Sequence, residues 1–438
     1  MDKSFDIIIE ESPVIRGEVS APPSKSYTQR AVIMAAMDGE CEIFNPLRSD
    51  DTMNAVSVCR FLGADIKDLG NSLLVRGFNG KPSPREGVIN VGENGTLLRF
   101  TLALLSLAGR RVVVRGEKSL LKRPNSAVVS ALRSMGVRIQ GTGESHTVPV
   151  SVSGSGGLKG GEVEIDGKTT SQAVSALLAA APFAREDVVL RIKNKLVSRP
   201  YVDITIDVLG WAGIRVENED YKIFRVKSGQ EFKIKPEVRI NGDYSSAAFL
   251  LAAAVLTDSN VTINGLAPDC QGDMKIIEIL ERMGAEIQRS GSSIRINGPF
   301  ELAGGEFDCS DTPDLAPILT VLGCFARGRT RIFNASHLLY KESNRLAQPA
   351  GELKKLGADI TPAGDGLEIR QSKLSSGEVF SRGDHRVAMS LAVAGLRIKG
   401  GLKVKNAECA AKSYPGFIDD MKRLGARISA APRPAPPV

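Results

Sequence analysis

The stretch Met283-Gly284-Ala285-Glu286-Ile287 is one of six copies of a short pattern: an apolar residue, glycine, a small or branched residue, a polar residue, and Ile or Val. The six glycines are Gly63, Gly136, Gly213, Gly284, Gly357 and Gly425, at successive intervals of 73, 77, 71, 73 and 68 residues. Glycine just past a helix can adopt the left-handed conformation that ends it, and the alternation that follows predicts a strand. The pattern therefore predicts six helix-to-strand turns in an α/β fold. Chance recurrence is the alternative, and the near-constant spacing disfavours it.

Each unit also contains a second helix that begins with polar residues and continues with small apolar ones on every face. The six starts are Ser24-Lys25-Ser26, Glu93-Asn94-Gly95-Thr96, Thr170-Ser171-Gln172, Asp243-Tyr244-Ser245-Ser246, Thr312-Pro313-Asp314 and Asp384-His385-Arg386. A helix that is apolar all round is buried, so these six helices should form the interior. Their N-termini expose unpaired N–H groups and favour bound anions.

The chain length of 438 residues predicts two domains, because one hydrophobic core rarely organises so many residues. With three units in each, we place the boundary near Arg239. A continuous six-unit solenoid is the alternative that the sequence leaves open. The Pro-rich residues 429–438 are expected to form a disordered tail.

Composition limits the possible partners. The net charge is +7, from 57 basic and 50 acidic residues that are interspersed, which suits small anionic substrates and does not demand nucleic acid. The six cysteines form no C-x-x-C pair, the three histidines are dispersed, and no nucleotide or dinucleotide motif is intact. We therefore expect no metal and no cofactor. The absence of a signal-like or membrane-spanning run predicts a cytoplasmic protein with no membrane partner, which we expect to be a monomer.

Basic residues at the starts of the apolar helices are candidate ligands for anions. They are Lys25, Arg30, Arg99 and Arg386, and arginine in particular can hold phosphate or carboxylate with two hydrogen bonds. A solvated or carboxylate-paired role is the alternative for each. The hydroxyl groups of Ser26, Thr170, Ser171 and Ser198 are further candidate donors, with helix capping as the alternative role.

Two acids are candidates for proton transfer, namely Asp314, before an apolar run, and Glu342, within Lys341-Glu342-Ser343-Asn344-Arg345. A carboxylate beside bound phosphate and cations can be tuned to accept or deliver a proton. Helix capping is the alternative for Asp314. An ion pair with Arg345 or Lys341 is the alternative for Glu342.

Nine motifs, in this order and at this spacing, resemble those of the 5-enolpyruvylshikimate-3-phosphate synthase family. They are Pro23-Ser24-Lys25-Ser26-Tyr27-Thr28-Gln29-Arg30-Ala31, Gly95-Thr96-Leu97-Leu98-Arg99, Lys122-Arg123-Pro124, Ser171-Gln172, Ser198-Arg199-Pro200-Tyr201-Val202-Asp203-Ile204-Thr205, Gly242-Asp243-Tyr244-Ser245-Ser246-Ala247, Pro313-Asp314, Lys341-Glu342-Ser343-Asn344-Arg345-Leu346 and Asp384-His385-Arg386-Val387-Ala388-Met389. The resemblance implies two inside-out α/β domains, each of three βαβαββ-type repeats around buried parallel helices, with a cleft that closes on substrate. The first domain would comprise residues 1–20 and 240–428, and the second residues 21–239.

The resemblance also implies an activity: transfer of the enolpyruvyl group of phosphoenolpyruvate to the 5-hydroxyl of shikimate 3-phosphate, with release of phosphate. Asp314 would be the base for the hydroxyl, Glu342 the acid toward C3, and Lys25 a third catalytic residue. By similarity, shikimate 3-phosphate would be held by Lys25, Ser26, Arg30, Thr170, Ser171, Ser198, Asp314 and Lys341. Phosphoenolpyruvate would be held by Lys25, Gly95, Arg123, Gln172, Arg345, Arg386 and Lys412.

Three positions depart from the family pattern: Glu93, Phe100 and His337. The first places an extra acid near the expected phosphate pocket, and His337 stands where asparagine is common. The nearest rival is a UDP-N-acetylglucosamine enolpyruvyl transferase, whose hallmark is a cysteine before an Arg-Pro pair, and Glu117 to Pro124 contain none. A non-catalytic repeat protein that binds polyanions is a rival of another class; it would bind nucleic acid in a salt-sensitive way.

Overall fold

A computed structural model of the protein describes residues 4–85, 87–154 and 156–433. Contacts within the chain divide it into two units: a discontinuous unit, Met1–Pro22 with Asn241–Val438, and a continuous unit, Pro23–Ile240. The boundaries expected from the sequence were at residues 21 and 239.

The helices in the described ranges follow in chain order: α1 (Lys25–Met37), α2 (Asp50–Leu62), α3 (Gly95–Leu105), α4 (Ser126–Ser134), α5 (Gln172–Ala180), α6 (Pro200–Trp211), α7 (Tyr244–Leu256), α8 (Lys275–Arg282), α9 (Ala316–Phe325), α10 (Ala347–Lys355), α11 (His385–Gly395) and α12 (Phe417–Arg423). The strands are β1 (Phe5–Ile9), β2 (Val14–Ser20), β3 (Glu40–Phe44), β4 (Asp65–Asp68), β5 (Ser72–Arg76), β6 (Gly87–Asn90), β7 (Arg111–Arg115), β8 (Arg138–Thr142), β9 (Thr147–Ser153), β10 (Gly161–Asp166), β11 (Val188–Lys193), β12 (Val216–Glu219), β13 (Ile223–Val226), β14 (Glu237–Arg239), β15 (Asp258–Asn264), β16 (Ile287–Ser290), β17 (Ser293–Ile296), β18 (Glu306–Asp308), β19 (Arg329–Phe333), β20 (Asp359–Ala363), β21 (Gly366–Arg370), β22 (Gly377–Phe380), β23 (Leu402–Lys405) and β24 (Ile428–Pro432).

The strands of the described residues form four-stranded sheets, three in each unit. The continuous unit holds β14-β3-β5-β4, β6-β7-β9-β8 and β10-β11-β13-β12, and the discontinuous unit holds β22-β23-β1-β24, β16-β17-β15-β2 and β18-β19-β21-β20. Every sheet combines one parallel pair with two antiparallel pairs, for example β18 with β19, then β19 with β21 and β21 with β20. The repeated pattern is the structural counterpart of the six sequence copies.

The helices with apolar residues on every face lie in the interior, as predicted. In α7 every residue from Tyr244 to Leu256 is buried, and α11 is buried along its whole length. The Ala-rich stretch 252–254 gives α7 the small side chains that allow neighbouring helices to approach closely. Five of these helices begin within their predicted starts. The exception is α9, which begins at Ala316 rather than at 312–314.

All six pattern glycines adopt positive φ, between 77° and 114°. At each one the glycine N–H and the next N–H bond back to the last helical turn; for example, Gly284 donates to Glu281 O at 2.9 Å and Ala285 to Leu280 O at 2.9 Å. These paired bonds define a Schellman ending, which satisfies the free carbonyls of the helix. The predicted helix-to-strand turns are therefore confirmed.

The expectation of a disordered tail is wrong for residues 429–432. They belong to β24, which pairs antiparallel with β1, so that Phe5 lies opposite Pro432 and Ile9 opposite Ile428. Because β24 is at the edge of its sheet, one side of the strand needs no ladder bonds and tolerates proline. Residues 434–438, the rest of the expected tail, lie outside the described residues.

We expect Gly136→Ala to destabilise the protein by about 1–2 kcal/mol, because φ at this position is +87° and an added Cβ meets no atom within 4 Å, which leaves backbone strain as the only cost. The matched control is Gly210→Ala, inside α6 with equally open space, which should stabilise the protein by about 0.5–1 kcal/mol. Urea unfolding of both variants measures this. Equal midpoints would show that the turn does not need glycine.

Candidate active site

Arg345 is a buried arginine of the discontinuous unit, 1% exposed, and it contacts three carboxylates. Its Nε donates to Asp384 Oδ2 at 2.9 Å, Nη1 donates to Asp314 Oδ1 at 2.5 Å, and Nη2 donates to Glu342 Oε2 at 2.6 Å. Removing a charge from water is costly unless it is paired and hydrogen-bonded, and these bonds supply both. The structure thus places the two predicted proton-transfer acids around one guanidinium.

Arg386 holds the other side of Asp314. Its Nε donates to Asp314 Oδ2 at 3.0 Å, and its Nη1 donates to Ser246 Oγ at 3.3 Å. The late start of α9 explains this position, since Asp314 lies in the turn before the helix and not at its cap. Capping, the alternative role for Asp314, is therefore wrong, whereas the ion pair between Glu342 and Arg345 is present.

The charges of the cluster fix the protonation of its members. Burial works to raise the pKa of Asp314, but Arg345, Arg386 and Lys341 outweigh it and hold that pKa below its usual range. Burial also opposes the charge of Arg345, yet Asp384, Glu342 and Asp314 raise its pKa well above the ordinary value. At neutral pH the cluster therefore contains ionised Asp314 and charged Arg345.

Three further residues lie around this cluster. Lys412 Nζ donates to Gly383 O at 3.0 Å, beside the Asp384 cap of α11. The Lys341 side chain is partly exposed, and its charge acts on both Asp314 and His337. His337 is buried, and neither ring nitrogen has a hydrogen-bond partner among the described residues. Burial lowers its pKa to about 3, so the ring is neutral.

Lys25 begins α1 of the continuous unit. Its Nζ pairs with Asp51 Oδ2 at 3.1 Å, and both side chains are largely buried, at 15% and 13% exposure. Asp51 was not predicted from the sequence, because an acid in the first turn of a helix such as α2 is ordinary. Ser26 is partly exposed, and its carbonyl accepts from Arg30 Nη1 at 3.0 Å.

Gly95 and Arg123 lie against each other at the N-terminus of α3. A Cβ built on Gly95 would come within 2.6 Å of Arg123 Nη1. Arg99 braces this corner, because its Nη1 donates to Gly95 O and to Gln172 Oε1, each at 2.9 Å, and its Nη2 donates to Pro124 O at 2.8 Å. Arg99, predicted from the sequence as a candidate ligand for anions, thus joins Gly95 and Gln172, two residues predicted to bind phosphoenolpyruvate, and Pro124, which follows Arg123.

The guanidinium of Arg30 is hydrogen-bonded to other groups of the protein. Its Nε donates to Thr205 Oγ1 at 2.8 Å, and Nη2 donates to Tyr201 O at 3.1 Å. The guanidinium also lies 5.6 Å from the centre of the Phe100 ring, which accounts for one of the unusual positions. Burial lowers the pKa of Arg30 to about 10, so it remains charged at neutral pH.

Hydroxyl groups precede two other helices of the continuous unit. Ser198, before α6, has φ of +55°, which is uncommon for a residue with a side chain. Its buried Oγ has no hydrogen-bond partner among the described residues. Thr170 Oγ1 accepts from Gln172 N at 3.2 Å, and Ser171 is the N-cap residue of α5 but makes no side-chain capping bond.

The extra acid, Glu93, is turned toward the protein. Its Oε1 accepts from the N–H of Ser119 at 3.4 Å, and Lys118 Nζ lies 3.9 Å from Oε2. No group of three or more His, Cys, Asp or Glu side chains is placed to hold a metal ion within residues 4–85, 87–154 and 156–433. In the same ranges, the helices are all too short or too polar to cross a membrane.

The chain is similar to known proteins of one family. The family EPSP synthase (3-phosphoshikimate 1-carboxyvinyltransferase) matches residues 9–421. The 3-phosphoshikimate 1-carboxyvinyltransferase of Methanococcoides burtonii is 41% identical over 419 residues, covering 94% of this chain and 97% of the relative. That of Acetivibrio thermocellus is 41% identical over 415 residues, with the same coverage of 94% and 97%.

A solved structure extends the likeness to the fold. The EPSP synthase of Acinetobacter baumannii superposes with a TM-score of 0.83 at 27% identity, over 98% of this chain and 100% of that one. This likeness bears out the expected pair of inside-out α/β domains. The chain belongs to the EPSP synthase family and transfers the enolpyruvyl group of phosphoenolpyruvate to the 5-hydroxyl of shikimate 3-phosphate, releasing phosphate on the shikimate route to chorismate and aromatic amino acids.

Proposed function

We propose that Asp314, Glu342 and Lys25 carry the proton transfers and charge stabilisation of this reaction. Asp314 takes the proton of the 5-hydroxyl as its oxygen bonds to C2 of phosphoenolpyruvate, and Glu342 delivers a proton to C3. In the elimination, Glu342 takes a proton back from C3 and phosphate leaves with the proton that Asp314 accepted, which restores the enol ether and both acids. Lys25 stabilises the negative charge of the phosphate groups.

The observation that carries this proposal is the sharing of the Arg345 guanidinium. Asp314 bonds to Nη1 and Glu342 to Nη2, so the two carboxylates lie on neighbouring nitrogens of one rigid plane. Addition and elimination need a base and an acid near the same carbon skeleton. Because both carboxylates bond to one guanidinium, they are held close to each other.

The residues proposed to bind the substrates form two sets. For shikimate 3-phosphate we propose Lys25, Ser26, Arg30, Thr170, Ser171, Ser198, Asp314 and Lys341, and for phosphoenolpyruvate Lys25, Gly95, Arg123, Gln172, Arg345, Arg386 and Lys412. The unbonded Ser198 hydroxyl supports the first set, since a buried donor without a partner is costly unless a ligand satisfies it. Close packing of Arg123 on Gly95 supports the second.

Substrate binding also resolves a difficulty with the base. A carboxylate whose pKa is held low is a weak base, and Asp314 is held low by Arg345 and Arg386. When the anionic groups of phosphoenolpyruvate bind these two arginines, their pull on Asp314 weakens. The pKa of Asp314 then rises toward the range in which a carboxylate accepts a proton.

We expect Asp314→Asn and Glu342→Gln each to lower kcat by about 10²-fold or more, because each removes a group that transfers a proton. Phosphate release, measured with both substrates and with each one omitted, gives the rate. The control is Glu301→Gln, whose carboxylate pairs with Arg327 at the surface and should leave kcat unchanged. Near-normal turnover in both site variants would remove the proton-transfer assignment.

We expect Gly95→Ala to raise KM for phosphoenolpyruvate by about tenfold or more, since the new methyl group would displace the Arg123 guanidinium that it overlaps. KM for shikimate 3-phosphate should change much less. Gly109→Ala is the matched control, because a Cβ there meets nothing within 4 Å. Steady-state kinetics with each substrate varied in turn would contradict the assignment if both KM values stayed at the unsubstituted level.

We also propose that the protein acts as a cytoplasmic monomer that does not bind nucleic acid. The support is the mixed distribution of its charges and the modest net charge of +7. Sedimentation analysis of the purified protein tests the oligomeric state.

A further inference from the structure

Asp273 is a buried acid of the discontinuous unit with no part in the reaction described so far. It lies in the short 3₁₀ turn Gly272–Met274 before α8 and is 3% exposed. Ser245 Oγ lies 2.5 Å from its Oδ2. The other oxygen, Oδ1, is buried and has no hydrogen-bond partner among the described residues. A buried carboxylate with one oxygen unsatisfied is costly, whereas a carboxylic acid is far less so.

Asp273 belongs to a clamp on the first turn of α7. Gln271 Oε1 accepts from the N–H of Tyr244 at 3.0 Å, and Gln271 Nε2 donates to Gly242 O at 2.9 Å. Asp273 adds its contact with Ser245, so the loop at 271–273 bonds to residues on both sides of Asp243, the N-cap residue of α7. The start of α7 is therefore fixed by side chains from another part of the unit.

The next residue of α7 leads directly to the site. Ser246 Oγ accepts from Arg386 Nη1 at 3.3 Å, and Arg386 in turn holds Asp314. Ser245 and Ser246 are adjacent, one on Asp273 and the other on Arg386. Two consecutive residues at the start of α7 therefore connect Asp273 with the arginine that holds the proposed base.

We propose that Asp273 is a positioning residue of the reaction: in its uncharged form it fixes the first turn of α7 through Ser245, and thereby holds Arg386 against Asp314. The inference rests on the proposed roles of Arg386 and Asp314. It adds to them a residue that touches neither substrate.

Burial and the neighbouring acids favour the uncharged form of Asp273. The groups that face it are Asp314 from the turn before α9, Arg386 from α11, Asp243 at the cap of α7, and Cys309 after β18; Lys275 follows two residues along the chain. Burial raises the pKa of Asp273 to about 7, with Asp314 the next contribution, while the hydrogen bond from Ser245 and the charge of Arg386 oppose the rise. Ionisation would add a negative charge beside Asp314 and draw Arg386 away from it.

Stability tests the charge state without any substrate. An unfolded aspartate releases its proton near pH 4, whereas this one holds it to about pH 7, so folding takes up a proton between these values and stability from this group falls as pH rises through them. Asp273→Asn keeps the shape of the neutral acid and does not ionise. Its urea midpoint relative to the unsubstituted protein should therefore be higher at about pH 8 than at about pH 5.

Kinetics test the positioning. Asp273→Asn should keep kcat/KM for phosphoenolpyruvate within about threefold at about pH 6.5 and lose less activity than the unsubstituted enzyme on raising the pH to about 8.5. Asp273→Ala and Ser245→Ala, which break the contact, should each lower kcat/KM by about tenfold or more while phosphate release still requires both substrates. Asp359→Asn, an exposed acid of β20, is the control and should change neither measurement.

These measurements distinguish the charge state of Asp273, its positioning role, and the roles proposed for Asp314 and Glu342. An unchanged midpoint difference between the two pH values would overturn the uncharged state of Asp273, whatever the reaction mechanism. The expected midpoint shift with normal kinetics in both contact-breaking variants would overturn the positioning role. Failure of the roles proposed for Asp314 and Glu342 would instead appear in their own variants, and the midpoint test would be unaffected.

Discussion

The site depends on one constraint: a buried arginine must be neutralised on all sides. Arg345 meets this with Asp314, Glu342 and Asp384, which come from three separate segments of the discontinuous unit. Breaking such a pair leaves an uncompensated buried charge, so these segments are held in one arrangement. Two of these three acids, Asp314 and Glu342, are those that we propose for the proton transfers. Fold and reactivity are therefore not separable here by single substitutions at Arg345.

Asp384 has two structural roles. Its Oδ1 accepts from the N–H of Arg386 at 2.9 Å and caps α11, and its Oδ2 accepts from Arg345 at 2.9 Å. A capping residue is fixed by the backbone geometry of its own helix. Attaching Arg345 to such a residue gives the guanidinium a rigid anchor that does not depend on substrate. Asp243 is likewise a capping residue: its Oδ1 accepts from Ser246 N at 2.7 Å at the start of α7, beside the clamp formed by Gln271 and Asp273.

The sequence predicted what local rules determine. The six glycine turns and the buried apolar helices follow from positive φ and from uniform apolarity, which are properties of a few consecutive residues. The strand β24 was missed because proline-rich composition indicates disorder, and only its pairing with β1, more than four hundred residues away, makes it a strand. Asp51 and Asp273 were missed for the same reason. Each is an ordinary acid near a helix start until tertiary contacts place Lys25 or Ser245 beside it.

A count of charges explains why an uncharged Asp273 would suit the reaction. Arg345, Arg386, Lys341 and Lys412 are four cations, and the arginines bond to three carboxylates, Asp314, Glu342 and Asp384, so among these seven groups the cations outnumber the carboxylates by one. An ionised Asp273 beside Asp314 would weaken the attraction of this cluster for anions. Both substrates are anions, and if Arg345 and Arg386 bind phosphoenolpyruvate as proposed, each exchanges a protein carboxylate for an anionic group of the substrate. Keeping one nearby acid protonated leaves the site with an attraction for anions, and still lets three acids neutralise its arginines when no substrate is bound.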